Sequence, residues 1–174
     1  MTTGTAAFDR APADDLRVRL HSCCAADAWV EEMVKGRPYR SEVALYAASD
    51  HATLALDADG LDQALAGHPR IGDRAPAHAG DTRSAAWSRG EQSAVATAGA
   101  DVLSQLAAAN AEYERRFGHV YLVCASGRGA PELLDVCRAR LDNDPETERG
   151  VVLNELAKIN RLRLGKLLSA KEGS

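Results

Sequence analysis

The sequence lacks any long hydrophobic run. Its longest apolar stretch, residues 120–125, is far shorter than the roughly 20 residues that a bilayer-spanning helix needs. The N-terminal segment also lacks the apolar centre of a signal peptide, because it carries six charged side chains: Asp9, Arg10, Asp14, Asp15, Arg17 and Arg19. We therefore expect a protein that stays in the cytosol and has no membrane partner.

The sequence has only four cysteines, and their spacing does not indicate a metal site. Cys23, Cys24, Cys124 and Cys137 do not form the paired spacing of zinc sites. His21 stands near Cys23 and Cys24, but residues two and three positions apart on a helix converge poorly on one ion. Reduced thiols packed in a core are the favoured interpretation, and we expect no metal.

Blocks of charge of one sign are absent as well. The 21 Lys and Arg residues alternate with 25 Asp and Glu residues, and the formal net charge is only -4. A surface that tracks phosphates needs clustered basic residues. Nucleic acid is therefore not expected as a partner.

What the chain does contain is enough apolar material for one core. Of its 174 residues, 45% are hydrophobic and 26% are charged, close to the average of globular proteins. One domain is the expectation for this length. We place it at residues 10–168, between a frayed N-terminal tail at 1–9 and a C-terminal tail at 169–174.

Apolar residues recur at three- and four-residue spacing, which predicts helices along most of the domain. Asp27, Ser41 and Asp144 are candidate N-caps, and Gly36 is a candidate helix end. The predicted helices cover approximately residues 16–24, 27–35, 43–56, 59–66, 88–117, 131–141 and 145–168. The small residues at 96–100 are a candidate break in the longest of them. The fold class is therefore all-α, a helical bundle.

Two segments do not follow the helical pattern. Residues 68–83 are rich in Pro, Gly, Asp and His, and a loop this long inside a compact domain is usually either functional or disordered. Residues 119–125 form a short apolar piece that we interpret as buried and extended. The architecture is therefore a bundle with one short extended segment.

Glu91 is a polar residue at a position where the pattern predicts burial. On one continuous helix it would lie within roughly 40° of Val95, Val102 and Tyr113. A buried carboxyl group has a raised pKa and can act as a proton donor. Ser88 and Glu91 are also spaced as a capping box at a helix start, and spacing alone favours that structural role.

Arg163 is a second such residue. Helical geometry puts it about 20° from Val152, inside the apolar arc of the last predicted helix, and puts Arg161 on the opposite side. A guanidinium keeps its charge, so a buried one needs a carboxylate or an anionic ligand. Spacing alone does not choose between an internal ion pair and a ligand site.

His68 opens the long loop and is followed by Pro69, which favours an extended conformation at His68. Histidine titrates near neutral pH and is suited to proton transfer. A single loop histidine is more often simply solvated, so spacing alone favours that interpretation.

Seven segments together resemble the OHCU decarboxylase family, whose substrate is 2-oxo-4-hydroxy-4-carboxy-5-ureidoimidazoline (OHCU). The resemblance covers nearly the whole chain, and the order and spacing of its motifs are specific. The segments are CCAADAW, GRPY, HPRIG, WSRGEQ, NAEYERRFGHVYLVCASGR, RARLDND and KINRLRL.

The resemblance implies a cofactor-free homodimeric carboxy-lyase that forms (S)-allantoin in urate breakdown. It also implies that His68 and Glu91 are catalytic, and it assigns substrate binding to Pro69, Ser88, Gln92, Val120, Tyr121, Leu122, Val123 and Arg163. No segment resembles the hydroxyisourate hydrolase domain that some relatives carry, and the C-terminus is not a peroxisomal address. We therefore expect a bacterial type of the enzyme.

Two other classes of function are weighed against this one. A helical scaffold protein would explain the bundle but not the polar residues on apolar arcs. A Ser–His hydrolase could use Ser88 and His68, but no nucleophile-elbow pattern of glycines surrounds the serine.

Overall fold

The computed structural model describes residues 4–73 and 82–170 of the chain. In this part of the chain the secondary structure is helical, with no strand. The helices are α1 (Gly4–Arg10), α2 (Ala13–His21), α3 (Asp27–Lys35), α4 (Glu42–Leu54), α5 (Ala58–Ala66), α6 (Thr82–Glu91), α7 (Ala100–Phe117), α8 (Ala130–Arg140) and α9 (Pro145–Ser169). The all-α prediction is confirmed.

Several predicted helix ends have the expected caps. The Ser41 side chain accepts a hydrogen bond from the amide of Ala44 at 3.2 Å. The carboxylate of Asp144 accepts from the Thr147 hydroxyl and from the amides of Thr147 and Glu146, and these bonds lower the pKa of Asp144. Asp27 is instead the first residue of α3, whose N-cap position is Ala26.

Residues 4–9 are not the frayed tail that the sequence predicted. They belong to α1, and Phe8 is 1% exposed. The Asp9 carboxylate accepts hydrogen bonds from the amides of Tyr39 and Arg40, so the motif GRPY holds the end of this helix. The small and polar residues of this segment do not predict a helix. The helix is stabilised by these tertiary contacts, which local sequence does not show. Residues 1–3 and 171–174 lie outside the described residues.

The chain divides into two compact units, and the division falls inside α5 and α9. The first unit holds the described residues up to Ala64 and from Ala157 onward. Its buried side chains include Trp29, whose indole N–H donates to the carbonyl of Ser49 at 3.3 Å. Cys23 and Cys24 are buried in this unit, which confirms their predicted core position.

The second unit comprises the described part of Leu65–Leu156, in which α7 packs against α8. Its core contains Leu106 and Tyr113 of α7, Leu133 and Cys137 of α8, and Tyr121, Val123 and Ala125. The piece at 119–125 has neither helical nor strand hydrogen bonding, and Tyr121, Leu122, Val123 and Ala125 are buried. Its predicted burial is confirmed.

The helix predicted over residues 88–117 is in fact two helices. Between α6 and α7 the amides of Val95 and Ala98 bond to carbonyls three residues earlier, as in tight turns. Gly99 is extended, with φ -65° and ψ 155°, and is the N-cap of α7. The break therefore lies where the small residues suggested, but it begins directly after Glu91.

None of the described helices is both long enough and apolar enough to span a membrane.

Candidate active site

The loop that carries HPRIG begins where α5 ends. The amide of His68 donates to the carbonyl of Leu65 at 3.0 Å, and the His68 and Pro69 side chains are half-buried. Arg70 forms a two-bond ion pair with Glu114 of α7, at 2.5 and 2.9 Å. These bonds lower the pKa of Glu114. The Arg70–Glu114 ion pair therefore connects the loop to α7 two residues after His68.

Two buried or half-buried amides hold the rest of this loop. Asn110 of α7 is 3% exposed, and its side-chain N–H donates to the carbonyl of Ile71 at 2.8 Å. Gly72 has a φ of 84°, which favours glycine, and its amide donates to the Gln92 side-chain oxygen at 3.0 Å. The structure thus brings Gln92 of WSRGEQ to the HPRIG loop. Residues 74–81 of the predicted long loop lie outside the described residues.

Ser88 and Glu91 lie in the last turn of α6, not at a helix start. The capping-box interpretation is therefore wrong, because α6 begins at Thr82 and both residues come at its end. Ser88 is 4% exposed and Glu91 is half-buried. The arc that joined Glu91 to Val102 and Tyr113 does not exist either, since α6 and α7 are separate helices.

The segment Val120–Val123 is held by side chains. The carbonyl of Val120 and the ring Nδ1 of His119 are 3.0 Å apart. The Tyr121 hydroxyl donates to the carbonyl of Leu133 at 2.9 Å, and burial raises the pKa of Tyr121. The carbonyl of Leu122 accepts from Arg140 at 2.8 Å.

A buried charged cluster behind this segment was missed by the sequence analysis. Arg140 of α8 and Glu148 of α9 form an ion pair at 2.5 Å, and their side chains are 7% and 0% exposed. The hydroxyl of Tyr113 donates to the same carboxylate. Burial, and then the bond to Glu148, raise the pKa of Tyr113. Burial opposes the charge of Arg140, but the bond to Glu148 and nearby charges leave its pKa raised.

Helical periodicity could have located both partners of this ion pair. Arg140 lies about 20° from the buried Leu133, and Glu148 about 40° from the buried Val152, at 100° per residue. The same reasoning identified Arg163.

Arg163 lies on α9 in the first compact unit and is 2% exposed, as its position on the apolar arc predicted. Its guanidinium is 3.5 Å from the carbonyl of Cys23. Burial raises the pKa of the neighbouring Cys24 thiol to about 11, and the charge of Arg163 opposes that rise. Arg161 is exposed and bonds to Asp50, which confirms that the two arginines have different environments.

No group of three or more His, Cys, Asp or Glu side chains within residues 4–73 and 82–170 is arranged to hold a metal ion. The predicted site residues other than Arg163 all belong to the second unit. Their polar groups are an imidazole, a carboxyl, a hydroxyl, an amide and backbone groups, which can transfer protons and orient a small polar ring.

Comparison with known proteins gives consistent matches. The family model for OHCU decarboxylase matches residues 9–165. The chain is 34% identical over 150 residues to the uric acid degradation bifunctional protein TTL of Arabidopsis thaliana, covering 86% of this chain and 46% of that protein. It thus spans about half the length of this plant relative. It is 32% identical over 145 residues to a 2-oxo-4-hydroxy-4-carboxy-5-ureidoimidazoline decarboxylase of Amia calva, covering 80% and 77%.

Solved structures agree. An OHCU decarboxylase determined in the presence of (S)-allantoin superposes with a TM-score of 0.75 at 25% identity, covering 92% of this chain and 100% of that one. An (S)-allantoin synthase superposes with a TM-score of 0.70 at 17% identity, covering 94% and 53%, and supports the fold alone.

Proposed function

This chain belongs to the OHCU decarboxylase family, and we propose that it decarboxylates OHCU to (S)-allantoin in urate breakdown. The observation that carries the proposal is the family match over residues 9–165, which includes every predicted site residue. The relative from Amia calva, named for this reaction, is covered over 77% of its length.

The reaction needs an electron sink, and the substrate contains one. When the C–C bond to the carboxylate breaks, CO2 leaves and the electron pair forms a C=C bond to the former imine carbon, while the imine electron pair moves to nitrogen, which takes a proton. The resulting enol then loses its hydroxyl proton as that oxygen becomes a carbonyl, and the former imine carbon gains a proton. We therefore propose that the enzyme needs no cofactor and acts by positioning the substrate and moving protons.

Roles follow for the residues of the second unit. His68, working with Glu91, takes the hydroxyl proton and assists the departure of CO2. Ser88 and Gln92 hold the ring by hydrogen bonds, with Pro69 and Val120–Val123 against it. Protonation of the enol-like intermediate on one face gives a single enantiomer. The anchoring of HPRIG by Glu114, Asn110 and Gln92 supports this role for its histidine, because an acid-base group must be held in a fixed position.

For Arg163 we propose the role of an anion clamp, in which its guanidinium binds a carboxylate or carbonyl of the substrate by paired, charge-assisted hydrogen bonds. Its burial supports this role, because charge-assisted hydrogen bonds are stronger where water is excluded. We further propose that the chain acts as one domain that includes α1, that the enzyme is a homodimer, and that it works in the cytosol.

The proposal is tested by adding the purified protein to freshly generated OHCU and following the loss of its ultraviolet absorbance. We expect the initial rate to rise in proportion to protein concentration, well above the spontaneous decay. A rate that does not depend on protein concentration would reject the proposed reaction.

A further inference from the structure

The segment Val120–Val123 has an unusual structural requirement. It is largely buried but belongs to no helix or strand, so its backbone polar groups need side-chain partners. Two buried charged residues bond to the backbone of this segment and of Cys124, which directly follows it. Arg140 donates to the carbonyl of Leu122 at 2.8 Å, and Glu155 accepts from the amide of Cys124 at 2.8 Å. The backbone on both sides of Val123 is thus fixed by α8 and α9.

Arg140 is itself held in one orientation. Its Nε and one terminal nitrogen donate to Glu148 at 2.8 and 2.5 Å, while the other terminal nitrogen bonds to Leu122. Its guanidinium carbon lies 5.6 Å and 5.0 Å from the ring centroids of Tyr113 and Tyr121.

Glu148 is fixed as fully as Arg140. One carboxylate oxygen accepts from Tyr113 and Arg140, and the other accepts from the side chain of Asn143 at 2.8 Å. Neither member of the pair can rotate without losing several bonds. The other terminal nitrogen of Arg140, Nη1, therefore donates to the carbonyl of Leu122 in a fixed direction.

Stability alone is a weak reason for this arrangement. Removing two charges from water costs several kcal/mol per ion, and a buried ion pair is often no more stabilising than apolar residues of similar volume. What an apolar pair cannot do is bind the carbonyl of Leu122. The particular contribution of Arg140 is therefore to the position of the backbone.

We propose that Arg140, oriented by Glu148 and Tyr113, is a positioning residue that sets the Val120–Val123 backbone against the substrate. This inference rests on the proposed function, in which that segment lines the substrate. Arg140 does not touch the substrate and acts through the carbonyl of Leu122. A displacement of about 1 Å in such a lining can reduce the rate about 100-fold.

The test uses the double variant Arg140→Met/Glu148→Gln. It removes both charges, so neither is left buried alone, and Gln still offers an acceptor to Tyr113. Arg138→Met is the matched control, because Arg138 is an exposed arginine of the same helix that bonds to Gln105. Melting temperature, kcat and KM are measured with OHCU for all three proteins.

We expect the double variant to keep its helical circular dichroism and to show kcat/KM lowered up to about 100-fold, with a raised KM as part of that loss, because the substrate lining has moved. Arg138→Met should match wild type. Partial unfolding would lower only the apparent kcat, because fewer active molecules with a normal KM remain. A folded double variant with wild-type kcat and KM would overturn the proposal. If the double variant does not fold, Arg140→Lys decides the question by the same comparison.

A second readout separates this inference from the proposed function. Amide hydrogen exchange of residues 121–124 is measured by NMR in wild type and in the same folded variant. We expect faster exchange in this segment and unchanged exchange in the middle of α7. If wild type fails to decarboxylate OHCU but the exchange changes as expected, the reaction is wrong and the positioning of the segment stands. Unchanged exchange overturns the positioning itself.

Discussion

Arg163 and Arg161 are two residues apart on α9 and differ in exposure, 2% for Arg163 against a half-exposed Arg161 side chain. If Arg163 clamps the substrate, Arg163→Lys should lower kcat/KM about 10-fold or more, because an ammonium cannot reproduce two parallel bonds. Arg161→Lys should change stability by no more than about 0.5 kcal/mol and leave activity unchanged. Rates and melting temperatures of both variants are compared. Equal, modest effects from the two substitutions would contradict the clamp.

His68 and Glu91 are the proposed acid-base pair. His68→Asn and Glu91→Gln should each lower kcat about 100-fold or more while the melting temperature stays near that of wild type, which is the usual size for a lost acid-base group. His51→Asn and Glu112→Gln are matched controls, since both residues are exposed on helices. Glu91→Gln keeps the size and most of the hydrogen-bonding capacity of the side chain, so a large loss of stability is not expected. Near-normal turnover in Glu91→Gln would remove this residue from the mechanism.

Burial of single side chains was predictable where a helical period was long and regular. Arg163 was located in this way, and its low exposure confirms the interpretation. The pairing of Arg140 with Glu148 was not predictable, because it depends on how the turn between α8 and α9 brings two helices together. Periodicity gives the buried side of a helix but does not identify the partner across it.

The turn at Gly72 offers a test at the scale of the HPRIG loop. Gly72→Ala should destabilise the fold by about 1 to 2 kcal/mol, because a side chain is strained at this positive φ. The Cβ added at position 72 would lie 3.4 Å from the Leu106 side chain, an ordinary van der Waals distance, so the expected cost comes from the backbone conformation. Gly90→Ala is the control, since nothing lies within 4 Å of its Cβ on α6. That variant should be unchanged or up to about 1 kcal/mol more stable in urea unfolding. Equal stabilities would contradict the proposed strain.

Secondary structure was predictable for elements with strong local signals. Ser41 and Asp144 cap the helices that they were expected to cap, and Pro131 lies in the first turn of α8. The elements that were missed depend on distant contacts. Helix α1 depends on the bonds that Asp9 accepts from the amides of Tyr39 and Arg40, and the end of α6 after Glu91 coincides with turns in which Val95 is buried. The capping-box prediction was wrong because the spacing of Ser88 and Glu91 does not show whether they lie at the start or at the end of a helix.

At the scale of the whole molecule, two buried thiols predict an alkaline limit to stability. Burial raises the pKa of both Cys24 and Cys137 to about 11, above the ordinary value of about 8.5. Their contribution to stability is therefore complete below about pH 8.5 and is lost as pH rises toward 11, because the unfolded chain releases these protons first. We expect the melting temperature to fall between pH 9 and 11, and to fall less steeply in Cys24→Ala. Parallel profiles would contradict the assignment.

The proposed function requires stereospecific formation of allantoin by this chain. Circular dichroism of the product, formed from freshly generated OHCU with and without the enzyme, tests this requirement. We expect rapid appearance of the (S)-allantoin signal with wild type, a much slower appearance with His68→Asn, and no net signal from the spontaneous reaction. An optically inactive product at the spontaneous rate, in the presence of folded wild-type protein, would contradict it.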